Sequence, residues 1–234
     1  MAATAVRCTR CGAALAIGRE GASLCPACLI SSVLDRPDTD DSPVETASSE
    51  TFPYEAITIM ARSDRSATYL AHAVGSARPI ALTLALPAVN GELVRRRAAM
   101  WRRALLRVRH IHLARVLAVG TSAAGAVYVA SEYVAARPLT TLVRAPRATQ
   151  VAIDLVLDQV RDALASLHAA GLAHMRVDAE HVRVTSDEPP QAMLVGVGLA
   201  LIFEGVEPAI AIDLDALERL GREARAAHGT RGGR

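Results

Sequence analysis

From Phe52 onward, short β-type runs alternate with helical ones. Ile57 to Ile59, Ala67 to Ala71 and Ile80 to Leu86 mix apolar and β-branched residues in the short pattern of strands. Glu92 to Val108 predicts a helix, and Val116 to Gly120 and Ala126 to Tyr133 predict two more strands. In Gln150 to Ala170, residues Val151, Leu155, Val160, Leu164 and Leu167 recur at near-helical spacing and predict a long buried helix. A β-rich first half followed by helices is the signature of an α+β fold.

The pattern breaks at both ends. Residues 34–51 are rich in Asp, Glu, Ser, Thr and Pro and carry few apolar side chains, which predicts a disordered acidic linker. Residues 223–234 read as a flexible Gly/Arg-rich tail.

Residues 1–33 hold all four cysteines, Cys8, Cys11, Cys25 and Cys28, spaced C-x₂-C-x₁₃-C-x₂-C. Two such knuckles bring four thiolates around one tetrahedral Zn²⁺. A segment this short buries too little apolar surface to fold alone, so the metal would supply the folding energy. With four Cys ligands no position stays open for water, so the expected role of the zinc ribbon is structural.

Composition narrows the function classes. All 26 basic residues are Arg, and the chain contains no lysine. A net charge of +2 argues against a dedicated polyanion binder. Aromatics make up 3% of the chain, so the core must be aliphatic. The first ten residues lack the apolar run of a signal peptide, and the longest apolar run, Met193 to Phe203, is too short to span a bilayer. The expectation is a soluble cytoplasmic protein without a membrane partner.

Several segments, in order, resemble a bacterial Hanks-type Ser/Thr protein kinase. Ser66 to Ala71 (SATYLA) looks like the second strand, and Ile80 to Thr83 (IALT) sits where VAIK is expected. His110 to Leu117 (HIHLARVL) resembles HPNIVRVL, and Tyr128 to Val134 (YVASEYV) resembles the hinge segment. Gly171 to Val184 (GLAHMRVDAEHVRV) resembles the catalytic loop, and Leu194 to Ala200 (LVGVGLA) occupies the LxDFGLA position. Asp213 to Leu217 (DLDAL) resembles DVYAL, whose first Asp ties down the catalytic-loop backbone. The zinc ribbon looks like leaders fused to some kinases of this kind. The resemblance implies a truncated two-lobe fold, with an N-lobe over 52–136 and a shortened C-lobe over 137–222.

That resemblance also implies where the chemistry has been lost. A kinase grips phosphates with a lysine, activates the hydroxyl with an Asp and holds Mg²⁺ with Asn and Asp. Here Thr83 stands at the lysine, Trp101 at its helix-C Glu partner, Arg176 at the catalytic Asp, His181 at the Asn and Gly196 at the metal-binding Asp. A guanidinium is permanently charged and cannot accept the proton. Asp178, two residues beyond Arg176, is the one alternative base. The stretch Met60 to Ser66 has no glycine to admit phosphates.

The reading is therefore a catalytically inactive pseudokinase serving as a protein-binding or regulatory scaffold. Its expected partner is another protein, or a second copy of itself, docked on apolar surface exposed by the truncated C-lobe around Val151 to Leu167 or Leu214 to Leu220. An alternative is nucleotide sensing through a vestigial adenine slot of Ala81, Ser131, Glu132 and Tyr133, though without a grip on ATP phosphates or Mg²⁺. A second alternative is nucleic-acid binding through the zinc ribbon and the arginines of the Glu92–Val108 helix. Only Trp101 interleaves with those arginines, which gives stacking on bases little support.

Overall fold

The computed structural model of the chain describes residues 52–122, 125–146 and 148–229. The four cysteines and the whole of the acidic linker lie outside the described residues. Two compact units emerge. One is built from the described residues up to Asn90 together with Thr121–Tyr128, the other from Gly91–Gly120 and the described residues from Val129 on.

The predicted strands are present: β1 (Tyr54–Arg62) and β2 (Ser66–Ala73) run longer than expected, β3 (Pro79–Ala85) is shifted by one residue, β4 (Val116–Thr121) extends one residue further, and β5 (Val127–Glu132) is one residue shorter at each end. They form a five-stranded sheet in the order β1-β2-β3-β5-β4. The pattern of β2 explains its place beside two neighbours. Ala67, Tyr69 and Ala71 are buried on one face, and the residues between them are half-buried on the other. At the edge, β1 skips Ile57 and Met60 in its register with β2. Those bulges turn both side chains outward, 55% and 44% exposed, and break the regular edge that would invite pairing with another strand. At the end of the same unit, the rings of Phe52, Tyr54 and Tyr128 meet edge to face, with centroids 5.4–5.7 Å apart. The chain's single asparagine, Asn90, pins the nearby turn: its side chain donates to Gly125 O at 2.9 Å and accepts from Val127 N at 3.0 Å.

The second unit is mainly helical. Helix α1 (Glu92–Arg107) matches the expected span, and a five-residue α2 (Leu139–Val143) precedes the long α3 (Gln150–Ala169). Thr149 caps α3 by accepting from Ala152 N at 3.1 Å. At its other end, Gly171 takes φ +72° and Leu172 N reaches back to Leu167 O, a Schellman closure that non-glycine residues rarely make. Ile153, Val156, Leu157, Val160, Ala163, Leu164 and Leu167 are all buried, which makes α3 the central helix of this unit. A small sheet, β6 (Arg137–Pro138), β7 (Val182–Val184) and β8 (Ala192–Leu194), was absent from the sequence expectation because strands of two or three residues carry no periodicity. After it come a buried π-helix (Ala200–Glu204) and α4 (Ile210–Gly229), which packs on α3.

Two expectations change here. Helix α4 continues to Gly229, past residue 222 where the sequence reading ends the lobe. Glu223 to Ala227 is a strong helix-forming run; Ala224 is buried, and Arg225 bonds Asp154 of α3 at 2.8 Å. The apolar surface expected along α3 and α4 is mostly covered, since the two helices pack on each other. Leu155 is half-buried, Leu217 and Leu220 are buried, and of the large apolar side chains in those two stretches only Val151 and Leu214 stay exposed. No described helix is long and apolar enough to cross a membrane.

Tyr69 supplies a test of the core. It is buried, and among the described residues its hydroxyl is the buried side-chain polar atom left without a hydrogen-bond partner. Burial raises its pKa and keeps it neutral, so the cost is that of an unpaired hydroxyl. Tyr69→Phe is expected to stabilise the chain by about 1 kcal/mol in urea unfolding. A loss of stability would mean that the hydroxyl has a partner.

Candidate functional site

The loop after α3 is organised by one buried carboxylate. Asp213, in the first turn of α4, accepts from His174 N and Met175 N at 2.7 Å each, and its Oδ2 also meets His168 Nε2 at 2.9 Å. This is the backbone-tethering role expected of it. Two amide donors held this way keep Met175 at φ +66°, a conformation an unbranched side chain adopts only when its surroundings impose it.

His174, the residue before that strained position, is fully buried. Its Nε2–H donates to Val195 O at 2.8 Å, while Nδ1 accepts from Arg176 N at 3.3 Å. Burial and the neighbouring His181 push its pKa down to about 4, so the ring is a neutral structural crosslink. It joins the loop to the Leu194–Ala200 segment, which is also held by Val195 N donating to His181 O at 2.9 Å.

Arg176, His181 and Gly196 lie in this one region. Arg176 Nε reaches Glu204 Oε1 at 3.0 Å, so the guanidinium is ion-paired to the end of the π-helix. Gly196 has φ +84°, and a Cβ there would meet Cδ2 of His181 at 2.9 Å. The imidazole thus fills the space that a side chain at 196 would need. His181 is oriented in turn by Asp178, whose Oδ1 accepts from His181 Nδ1 at 2.8 Å and from the backbone N–H groups of Glu180 and His181 at 2.9 Å. Partial burial alone would raise the Asp178 carboxyl; the hydrogen bonds and charge of His181, with the two backbone donors, outweigh it and hold the pKa at about 2.

The segment from Gly196 to Gly205 is packed shut from the α1 side. Gly198 has φ +81°, and a Cβ there would lie 2.5 Å from Leu105 Cδ2. Gly205, also left-handed, lies directly against the Arg97 guanidinium. These two glycines let α1 approach the backbone closely. Ala200, Leu201, Ile202 and Phe203 between them are all buried. Glu204 and His168 were not among the residues singled out from sequence, and Arg97 entered only as one of the helix arginines; their partners lie far along the chain, and no local pattern marks such pairs.

The remaining candidates lie elsewhere. Thr83 is buried in β3, and its hydroxyl meets that of Thr68 across the strand pair at 2.9 Å. Trp101 is half-buried on α1. Ala81 lies on β3 in the first unit. In the second unit, Ser131 and Glu132 end β5 and Tyr133 follows. Among the described residues no three His, Cys, Asp or Glu side chains gather as a metal site. A surface hollow of about 390 Å³ lies on α2, lined by Arg137, Thr140, Thr141, Arg144, Ala145 and Pro146.

The neutral state of His174 has a pH signature. The unfolded ring takes up its proton near pH 6.5 and the folded one near 4, so the unfolded state binds more protons between those values. The contribution of His174 is complete above pH 6.5 and is lost as pH falls towards 4, amounting to on the order of 3 kcal/mol. Urea midpoints from pH 7 to 4 should therefore fall less steeply in His174→Gln than in the parent chain. Equal slopes would show that His174 is not a buried neutral ring.

No family model matches this chain, and no curated protein matches it. Solved structures do. The kinase domain of Mycobacterium tuberculosis PknI is 24% identical over 78% of this chain and 78% of that chain, with a TM-score of 0.62. A cysteine-substituted form of the same domain is 24% identical, covers 79% of both chains and has a TM-score of 0.62. A doubly substituted form gives 23% identity and the same TM-score. The fold of this chain is that of a bacterial protein-kinase domain.

Proposed function

We propose that this chain is a kinase-like domain without phosphoryl-transfer activity, working as a binding or regulatory module. The observation that carries the reading is the packing of His181 against Gly196. Taken as the two Mg²⁺-ligand positions, they hold an imidazole directed at Asp178 and a glycine whose side-chain space that imidazole occupies. A carboxylate at 196 would need both a left-handed backbone and a displaced His181.

The other positions support the same conclusion. Arg176, taken as the catalytic base position, is a permanent cation engaged with Glu204. Asp178 is a poor substitute. A carboxylate held near 2 by three donors has little tendency to take a proton from a hydroxyl at neutral pH. Thr83, taken as the lysine position, is buried and satisfied by Thr68, and no lysine exists elsewhere to replace it. Loss of base, metal ligands and phosphate-binding cation together removes most of the electrostatic stabilisation on which phosphoryl transfer depends. The spacing of Cys8, Cys11, Cys25 and Cys28 supports a structural zinc beside this domain.

The test is titration of the full chain with Mg·ATP, read by thermal shift and by ATP consumption over hours. The expected result is no Mg²⁺-dependent shift and no turnover above buffer. A Mg²⁺-dependent shift would give the loop a metal–nucleotide site, turnover above buffer would overturn the reading, and turnover lost in Asp178→Asn would make Asp178 the base.

A further inference from the structure

The arginines of α1 separate into two groups. Arg95 pairs with Glu92, Arg97 lies against Gly205, Arg102 donates to Val119 O, and Arg109 just beyond the helix donates to Val108 O. Arg96, Arg103 and Arg107 are exposed and have no carboxylate partner among the described residues. They do not lie at random. With Leu93 and Met100 they follow the spacing 93, 96, 100, 103, 107, which at helical geometry confines all five to an arc of about 80°. That arc is opposite the face carrying the buried Val94, Ala98 and Leu105. Leu93 is 64% exposed and Met100 66%, so two large apolar side chains one heptad apart stand in water between unpaired cations.

We propose that this face of α1 docks an acidic amphipathic helix of another protein, with its apolar residues on Leu93 and Met100 and its carboxylates on Arg96, Arg103 and Arg107. Helix-on-helix recognition needs apolar anchors about seven residues apart on one side, flanked by complementary charge, and this stripe supplies both. Other occupants fit less well. A nucleic acid would use the arginines but find no purpose for Leu93 and Met100, and no aromatic residue lies in the stripe for its bases. A second copy of α1 would set like charges against each other. The chain's own Asp35–Glu50 segment has the acidic residues but only one large apolar residue, Val44, to meet two anchors. The inference deepens the binding reading above by naming the surface and the chemistry of its partner.

The experiment uses the full chain and a designed acidic amphipathic peptide of about three heptads, with leucines seven apart flanked by glutamates. Its controls are a scrambled peptide and a DNA duplex of matched charge. The expected result is saturable binding by fluorescence anisotropy, weakened about tenfold or more by the Arg96→Glu, Arg103→Glu, Arg107→Glu triple variant. Leu93→Ser with Met100→Ser should weaken it comparably, both variants keeping the parent's circular dichroism. An arginine-flanked peptide should bind the charge-reversed variant. Absence of binding, equal binding of the scrambled peptide, or tighter binding of the DNA would each overturn the proposal. So would binding seen only after the acids of residues 35–50 are neutralised, which would give the face to the chain's own linker. A chain inert to Mg·ATP that also ignores the peptide would overturn this inference alone; turnover of ATP alongside peptide binding would overturn only the inactive reading.

Discussion

Asp213 sets the geometry on which the whole loop region depends. A fully buried carboxylate is tolerable only when its charge is answered, and here two backbone N–H groups and an imidazole answer it. Without the carboxylate, the buried His174 amide would lose its partner at about 1–3 kcal/mol, and the part-buried Met175 amide would lose its partner as well. Met175 would lose the reason for its left-handed backbone, and His174 its aim at Val195. Through Val195 the effect would reach Gly196 and the π-helix. One side chain at the start of α4 thereby holds the loop in register with the segment that follows β8.

The parts that position this loop and the parts that would perform chemistry on it have different fates. Positioning is intact: Asp213, His174 and the glycines at 196, 198 and 205 give a tightly built segment against α1. In the proposed reading, the positions where a kinase holds its reactive groups are filled by groups that make structural contacts instead. Arg176 pairs with Glu204, His181 packs over Gly196, and Thr83 satisfies Thr68. In that reading, each of these residues is engaged in a contact where a kinase would keep a reactive group available. The proposed role as a binding module follows from this contrast, since a scaffold needs the architecture and not the chemistry.

Much of this was legible in the chain itself. The strands and long helices could be read because burial on one face writes a period into the sequence, as at Ala67, Tyr69 and Ala71 in β2. The tether at Asp213 was legible through resemblance, because a carboxylate at the start of a helix kept its neighbours DLDAL. The π-helix was not, for it depends on left-handed glycines and on contacts from α1 that no local pattern reveals. The end of α4 was hidden by the Gly/Arg composition of the residues after it, although Ala224 continues the buried face. The docking stripe on α1 was obscured in the same way. Seven arginines look alike in sequence, and only the structure separates the four already engaged from the three that face outward.

The central claim is that no divalent metal binds at the loop. Its most direct test is a Mn²⁺·ATP titration of the isotope-labelled full chain, following paramagnetic broadening of the His181, Gly196 and Asp178 signals. The account predicts that these signals broaden no more than those of surface residues elsewhere in the chain. Selective broadening of His181 and Gly196 at low Mn²⁺ would place a metal where the imidazole is packed, and would contradict it.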